Sequence, residues 1–516
     1  MRKPLPGAVE FLAPVVSAVV LALALPSELF PEGLAAFGWL ALFPSFWFTR
    51  RHAWVASAAG GALFATTLFL TSCSWLLGFH PLAFPIVLLV MVPQYAAVFA
   101  LSSLLWRWVP PKKSRLVGIW FQAALWAVFE AVRNLGWLAF PYGSLASTQA
   151  FFPVAFQSAD LLGTTGLTYL LALVSAAGAA LPLLPWLDLA LAGVLLVLNF
   201  GYGWWILGQD EGGGPVRVAL VQNAQDPWKG GVETYSGALD TLLELSTKAL
   251  ADKPDLVVWP ETAFVPGIDW HTRYRPDPTS WQLVKRLEVF LANSATTFVL
   301  GNDHGVLAPD GKTRLDYNAA LLWNGGWADR YLKNRLVPFT ESLPWKDQLP
   351  WLRQLLERNG SHFWEAGTTF EVLHAGPLVL GTPICYEDAF PDASRAFALA
   401  GANLLVNLTN DSWTTGTAAR NQHLALAVFR SAETRLPLVR AGNDGRTAVI
   451  DSRGRVTASL AVGVRGVLAA PVWVGISKPT IYTRWGDFGA IFLSFLLGIP
   501  AFWALERRWR GRPRAI

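Results

Sequence analysis

The chain has 516 residues, of which 53% are hydrophobic and only 15% charged, with 26 tryptophans and 31 phenylalanines; its mean hydropathy is +0.36. Ordinary globular chains carry about 25% charged residues, so lipid rather than water is expected around much of this polypeptide. The net charge of +5 sits in short tufts between apolar runs, not on a basic face with interleaved aromatics, which speaks against nucleic acid as a partner. Two cysteines and seven scattered histidines, without an HExxH or a paired-cysteine motif, speak against a disulfide framework and a transition-metal site.

Apolar runs of membrane-spanning length, roughly 20 residues, are read at Ala8–Leu25, Leu34–Phe48, Ala53–Gly78, Leu82–Trp106, Leu116–Trp137, Leu161–Leu181 and Leu187–Ile206, with an eighth at Phe488–Leu505. The first follows Arg2-Lys3 like a signal peptide but lacks a convincing small-residue cleavage site, and is expected to be retained. The basic tufts are Arg2-Lys3, Arg50-Arg51, then Arg107, Lys112, Lys113 and Arg115, and finally Arg507, Arg508, Arg510, Arg512 and Arg514. With eight spans every tuft falls on one side, while the alternate loops carry Glu28, Glu32 and His80. The positive-inside rule then predicts cytoplasmic termini and an extracytoplasmic segment between the seventh and eighth spans. Inside the fifth span, Glu130 and Arg133 share one helix face. They read either as a structural ion pair, the favoured alternative, or as the lining of a cleft or transport path. Cys73, in the third span, reads as a small packing residue.

Composition changes after the linker Gly212-Gly213-Gly214-Pro215. Runs rich in β-branched residues predict strands at Val216–Gln222, Leu256–Pro260, Thr297–Gly301, Ala319–Trp323, Leu378–Ile384, Asn403–Leu408, Leu436–Ala441 and Thr447–Asp451. Helical periodicity covers Tyr235–Ala251, Ser280–Ala295 and Arg420–Arg435. The expected organisation is a seven-helix membrane domain over 1–207 and an α/β catalytic domain over 214–477. A last membrane helix over 485–506 and a basic tail over 507–516 complete it. No P-loop and no Gly-rich dinucleotide turn follows any strand, so no cofactor is expected.

Three segments put polar residues just after buried strands. Leu256-Val257-Val258-Trp259-Pro260-Glu261 ends on a carboxylate; Tyr331-Leu332-Lys333 sets a lysine among apolar neighbours, with Glu341 eight residues on; and Gly381-Thr382-Pro383-Ile384-Cys385-Tyr386-Glu387 puts the only cysteine of this part where a strand ends. Each alone has a bland reading: a lone cysteine after a strand is more often core than nucleophile, a carboxylate after proline can cap a helix, and a lysine is usually solvated. Together they supply what acyl transfer without a cofactor needs. Glu261 takes the proton of the Cys385 thiol, the Lys333 ammonium lowers the thiol pKa, and the ammonium meets the developing oxyanion.

These segments resemble, in the same chain order, the Glu-Lys-Cys motifs of the nitrilase superfamily. Val218–Gln222 is similar to its opening strand and Asn410-Asp411-Ser412-Trp413 to its post-nucleophile motif. With seven spans before such a domain and one after it, nearly the whole chain resembles the bacterial apolipoprotein N-acyltransferases. The resemblance implies an α+β membrane protein: an eight-helix transmembrane domain plus a nitrilase-like α-β-β-α sandwich. It implies that Cys385 attacks a phospholipid ester to give a thioester, and that the α-amine of a diacylglyceryl-cysteine on an apolipoprotein then takes the acyl chain. Glu261 would be base, Lys333 oxyanion stabiliser and Cys385 nucleophile. Glu341 would support Lys333, and Tyr386 and Glu387 would flank the nucleophile. The resemblance further implies a bacterial inner-membrane location, with the catalytic domain periplasmic, and a monomer is expected. The loop 223–229 follows the family pattern loosely, leaving the part played by Trp228 open.

The Pro- and Trp-rich stretch Phe339–Phe370 reads either as a mobile arm meeting acyl chains or as a packed excursion over the sandwich. Two other functions remain open from the residues alone. A membrane-tethered amidase could use the same triad, although a tether needs only one span. A transporter could use Glu130 and Arg133, although the spans show no paired broken helices.

Overall fold

The computed structural model describes residues 7–109, 111–181, 186–226, 230–343, 345, 347–359, 361–414, 416–475 and 478–510, without the side chains of 111–117, 232 and 507–510. Arg2, Lys3, Trp228, Pro344, Arg512 and Arg514, and the side chains of Lys112, Lys113, Arg115, Arg507, Arg508 and Arg510, therefore lie outside the described residues. Two compact units emerge. One comprises 1–209, 416–425 and 485–516; the other comprises 210–415 and 426–484.

The first unit is helical. Among the described residues five helices are long and apolar enough to cross a membrane: Trp54–Ser72, Ala83–Trp108, Ala159–Ala180, Trp186–Leu207 and Phe488–Glu506. The expected eight are thus reduced to five, for identifiable reasons. The first apolar run forms a 17-residue helical stretch, Ala8–Ala24. The second breaks into Ala35–Gly38 and Phe43–Arg51, each far short of the roughly 20 residues a bilayer requires. The fifth forms the 23-residue helix Pro111–Arg133, whose opening turns fall among the side chains that are not described.

Glu130 and Arg133 are both buried, but they do not form the expected ion pair with each other. Glu130 accepts from the Leu145 amide at 2.9 Å, Trp126 Nε1 at 3.0 Å and Thr168 Oγ1 at 3.3 Å. Arg133 donates to Tyr95 Oη at 2.7 Å and to the Tyr142 carbonyl at 3.2 Å. Each charge is thus held by neutral dipoles, and together they staple the chain at 141–145 against three helices. Cys73 is fully buried at the end of the helix Trp54–Ser72.

The second unit contains two six-stranded sheets. The first orders Gly466–Val474 (β12), Gly214–Gln222 (β1), Leu256–Val258 (β2), Thr297–Leu307 (β3), Arg314–Trp323 (β4) and Trp327–Leu332 (β5). The second orders Val456–Ser459 (β11), Ala448–Ile450 (β10), Leu438–Gly442 (β9), Leu404–Thr409 (β8), Leu378–Gly381 (β7) and Leu373–Ala375 (β6). β1, β2 and β3 run parallel, as do β7, β8 and β9. Parallel strands need crossover connections, and the helices Val232–Leu250 and Pro278–Ala292 supply them for the first sheet. Leu239, Leu242, Leu283 and Leu287 from these helices pack on Val257, Trp259, Phe298 and Leu321 of that sheet. On the second sheet, Pro391–Leu399 and Thr417–Thr434 fill the same connecting role.

All eight predicted strands are present. The four that were missed, β5, β6, β11 and β12, are the four edges of the two sheets. Edge strands are paired on one side only and carry polar residues, short lengths or proline. Trp327-Ala328-Asp329-Arg330, Leu373-His374-Ala375 and Pro471 within β12 show all three.

Candidate active site

The three motif segments converge where parallel strands end, the usual place for α/β folds to expose reactive groups. β2 stops at Val258, and the chain turns through Trp259-Pro260 to bring up Glu261. That turn lies against β3 so closely that a Cβ at Gly301 would sit 2.3 Å from the Pro260 carbonyl and 2.6 Å from Glu261 Cα. Lys333 follows the last residue of β5, its amide bonded to the Asn318 carbonyl of β4 at 2.9 Å. Cys385 opens a short 3-10 turn, Cys385–Ala389, after β7. Its φ of 50° is unusual for a residue with a Cβ, as are those of Thr262 (44°) and Phe339 (64°). Such strain persists where surrounding contacts over-determine the backbone, and functional sites are where it concentrates.

Lys333 is fully buried and donates to Glu261 Oε1 at 3.0 Å and Glu341 Oε1 at 2.8 Å. An ammonium carries three donors, so one remains for another acceptor. Burial opposes its charge, but Glu261 and Glu341 outweigh that and hold Lys333 well above the ordinary lysine range. Glu261, 5% exposed, also accepts from Asn318 Nδ2 at 2.7 Å and from the Asn410 amide at 2.9 Å. Glu341 takes the Val337 amide on its second oxygen at 2.8 Å; burial pushes its carboxyl up, against the pull of Lys333.

The Cys385 thiol is also buried, and its Sγ lies 4.0 Å from the Asn410 carbonyl. Burial pushes the thiol well above its ordinary value, and Glu261 adds to this against the opposing pull of Lys333. Lys333 pulls the thiol down as expected, but desolvation by burial outweighs that pull. A thiol held protonated at rest needs a base at the moment of attack, and Glu261 is the carboxylate acting most strongly upon it.

Glu387 is buried and is bonded to other groups. Its carboxylate accepts the amides of Asn334 (2.8 Å), Arg335 (2.9 Å) and Ile384 (2.8 Å) and the Tyr331 hydroxyl (2.9 Å). It therefore ties the Lys333 segment to the Cys385 turn, and burial pushes its carboxyl up to about 7. Tyr386 packs edge-on against Phe390, ring centroids 4.8 Å apart. Asn318 was not singled out from sequence, and Asn410 was named there only as part of the post-nucleophile motif. Asn318 sits inside a β4 that otherwise reads as ordinary strand, and only a buried polar residue in an apolar run could have flagged it.

Above this site the arm is tied down at its base. The Trp364 amide donates to the Glu341 carbonyl at 2.9 Å and the Gly367 amide to the Lys333 carbonyl at 2.8 Å. Farther out, the helix Pro350–Arg358 leaves Trp351 64% exposed, and Trp345 is 51% exposed.

A buried carboxylate, a buried ammonium and a buried thiol thus lie together on a two-sheet α/β core. The family model for carbon-nitrogen hydrolases matches residues 217–475, and that for the apolipoprotein N-acyltransferase N-terminal domain matches 17–177. Apolipoprotein N-acyltransferase 1 of Treponema denticola is 34% identical, covering 95% of each chain. The apolipoprotein N-acyltransferase of Geobacter metallireducens is 32% identical over 93% of this chain and 92% of its own. This chain belongs to the apolipoprotein N-acyltransferase family. Among solved structures, an amidase of the nitrilase superfamily from Nesterenkonia is similar at 20% identity and a TM-score of 0.38, covering 53% of this chain and 94% of that one.

Proposed function

We propose that this enzyme moves an acyl chain from a phospholipid to the N-terminal amine of a diacylglyceryl-cysteine on apolipoproteins, through a thioester on Cys385. The observation that carries the site assignment is the fully buried Lys333 held between Glu261 and Glu341 beside a strained cysteine. Glu261 removes the thiol proton as sulfur attacks the ester carbonyl. The remaining Lys333 donor meets the oxyanion, an interaction worth about 3–4 kcal/mol where single donors have been removed. Collapse expels lysophospholipid, whose oxygen takes the proton from Glu261. The acceptor amine then attacks the thioester, giving up a proton to Glu261, which returns it to the departing Cys385 sulfur. Glu341 holds Lys333 in place, while Glu387 and Tyr386 shape the turn.

Family membership along nearly the whole chain supports a lipid ester over a soluble amide as donor, because the helical region matches the family as well as the catalytic one. The basic tufts support cytoplasmic termini. With the C-terminus inside and one apolar helix of spanning length, Phe488–Glu506, between it and the catalytic domain over 214–477, that domain is extracytoplasmic.

Intact-mass measurement of the purified protein incubated with phospholipid alone tests this reading. A hydroxylamine-sensitive gain of one acyl chain, absent in Cys385→Ala, is expected. No adduct in any lipid composition refutes it, and rapid loss of the adduct to water favours the hydrolase alternative.

A further inference from the structure

Arg440 lies on β9, a strand buried along its whole length, and its guanidinium is 0% exposed between two carboxylates that are equally buried, Asp388 and Asp411. Nη1 donates to Asp388 Oδ2 and to Asn407 Oδ1 at 3.0 Å. Nη2 donates to Asp411 Oδ2 at 3.2 Å and to Thr409 Oγ1 at 3.4 Å. These partners belong to the two segments that flank the thiol. Asp388 sits within the Cys385–Ala389 turn, and Asn407 reaches the same turn from the other side, donating to the carbonyls of Pro383 at 3.1 Å and Cys385 at 3.4 Å. Asp411 directly follows Asn410, whose amide holds Glu261 and whose carbonyl faces the sulfur. Asp411 is packed so tightly that a Cβ at Gly445 would lie 1.9 Å from its Oδ2.

We infer that Arg440 is a positioning residue for the transfer reaction, its forked guanidinium locking the strained nucleophile turn to the loop that holds Glu261 and neutralising the carboxylates beneath the thiol. One planar group with donors in a rigid fork can bind both segments at once; a lysine at the same place keeps the charge but not the fork. The charge has its own role, because Asp411 is among the groups that oppose thiolate formation at Cys385, and Arg440 is paired to it. Misplacing reacting groups by about 1 Å can cost on the order of 10²-fold in rate, so a loosened turn is felt in chemistry before it is felt in substrate binding.

This inference rests on Cys385 being the nucleophile, and the experiment separates the two. Full-length enzyme in nanodiscs, carrying Cys73→Ala so that one thiol reports, is assayed for acyl-enzyme formation by intact mass and for the pH profile of Cys385 alkylation by iodoacetamide. The parent, Arg440→Lys and Asp411→Asn are compared, with melting curves for each. Arg440→Lys is expected to slow acyl-enzyme formation by about 10²-fold with an unchanged phospholipid KM, while its alkylation profile keeps its midpoint. Asp411→Asn is expected to move that midpoint to lower pH, because a negative charge beside the thiol is gone. A merely structural role would lower melting temperatures without these separate effects. A folded Arg440→Lys enzyme acylating at the parent's rate overturns the inference, as does an unmoved midpoint in Asp411→Asn. Failure of the parent to form acyl-enzyme overturns instead the underlying assignment of Cys385.

Discussion

Replacing Lys333 separates what the buried cluster does for stability from what it does for chemistry. In Lys333→Met, Glu261 and Glu341, whose side chains are 6% and 17% exposed, lose their shared counter-ion. Breaking a buried ion pair from one side costs about 3–5 kcal/mol. For a domain of this size each kcal/mol moves Tm by about 2–4 °C, so a fall of roughly 6–20 °C is expected. The same change removes the oxyanion donor, slowing acyl-enzyme formation by about 10²–10³-fold. Adding Glu341→Gln removes one of the two stranded carboxylates and leaves its shape, so the double variant is expected to regain about half or more of the lost Tm and none of the rate. Scanning calorimetry and rapid-quench intact mass on the same preparations read both quantities. A double variant no more stable than Lys333→Met would refute the buried-charge argument. A single variant acylating within tenfold of the parent would refute the role in chemistry.

Other consequences can be measured alongside. Burial raises the Glu387 carboxyl to about 7, so its protonated form is favoured in the folded protein. The stabilisation linked to that proton is complete below the unfolded carboxylate pKa of about 4.3 and is lost as pH rises through about 7; this loss should vanish in Glu387→Gln, and an identical pH–stability curve in the variant would sink the idea. Cys73→Ala is expected to form acyl-enzyme as the parent does, since Cys73 packs inside the helical unit; an inactive variant would contradict that. In the arm, hydrogen exchange across 350–358 should slow when lipid substrate is added in nanodiscs, the exposed Trp345 and Trp351 being covered by acyl chains. Full protection with and without lipid would show a packed excursion instead.

The proposed chemistry was legible before the fold because Glu261 and Cys385 follow buried strands, and such strands announce themselves as unbroken apolar runs, whereas Lys333 follows the largely exposed edge strand β5. Leu256-Val257-Val258 and Leu378-Val379-Leu380 are such runs. The four edge strands carry no such run, since one side of each is unpaired and polar residues such as Asp329 and Arg330 are accommodated there. Span counting failed for a related reason. Hydropathy registers apolar content and not the backbone break between Gly38 and Phe43, so two short helices read as one.

The sequence by itself determined that Cys385, Glu261 and Lys333 belong to one apolar-cored domain and follow its strands, because strand periodicity and order are local properties of the chain. Only the tertiary structure decided how charge is distributed among them. Lys333 bonds two carboxylates rather than one, and the thiol is held up by burial despite the nearby ammonium. Glu387 braces two segments, and Arg440, which no motif marks, grips both sides of the nucleophile turn. These follow from burial and from contacts between residues as much as 149 positions apart. Desolvation and long-range hydrogen bonding depend on what surrounds a side chain, and no local stretch of sequence contains that information.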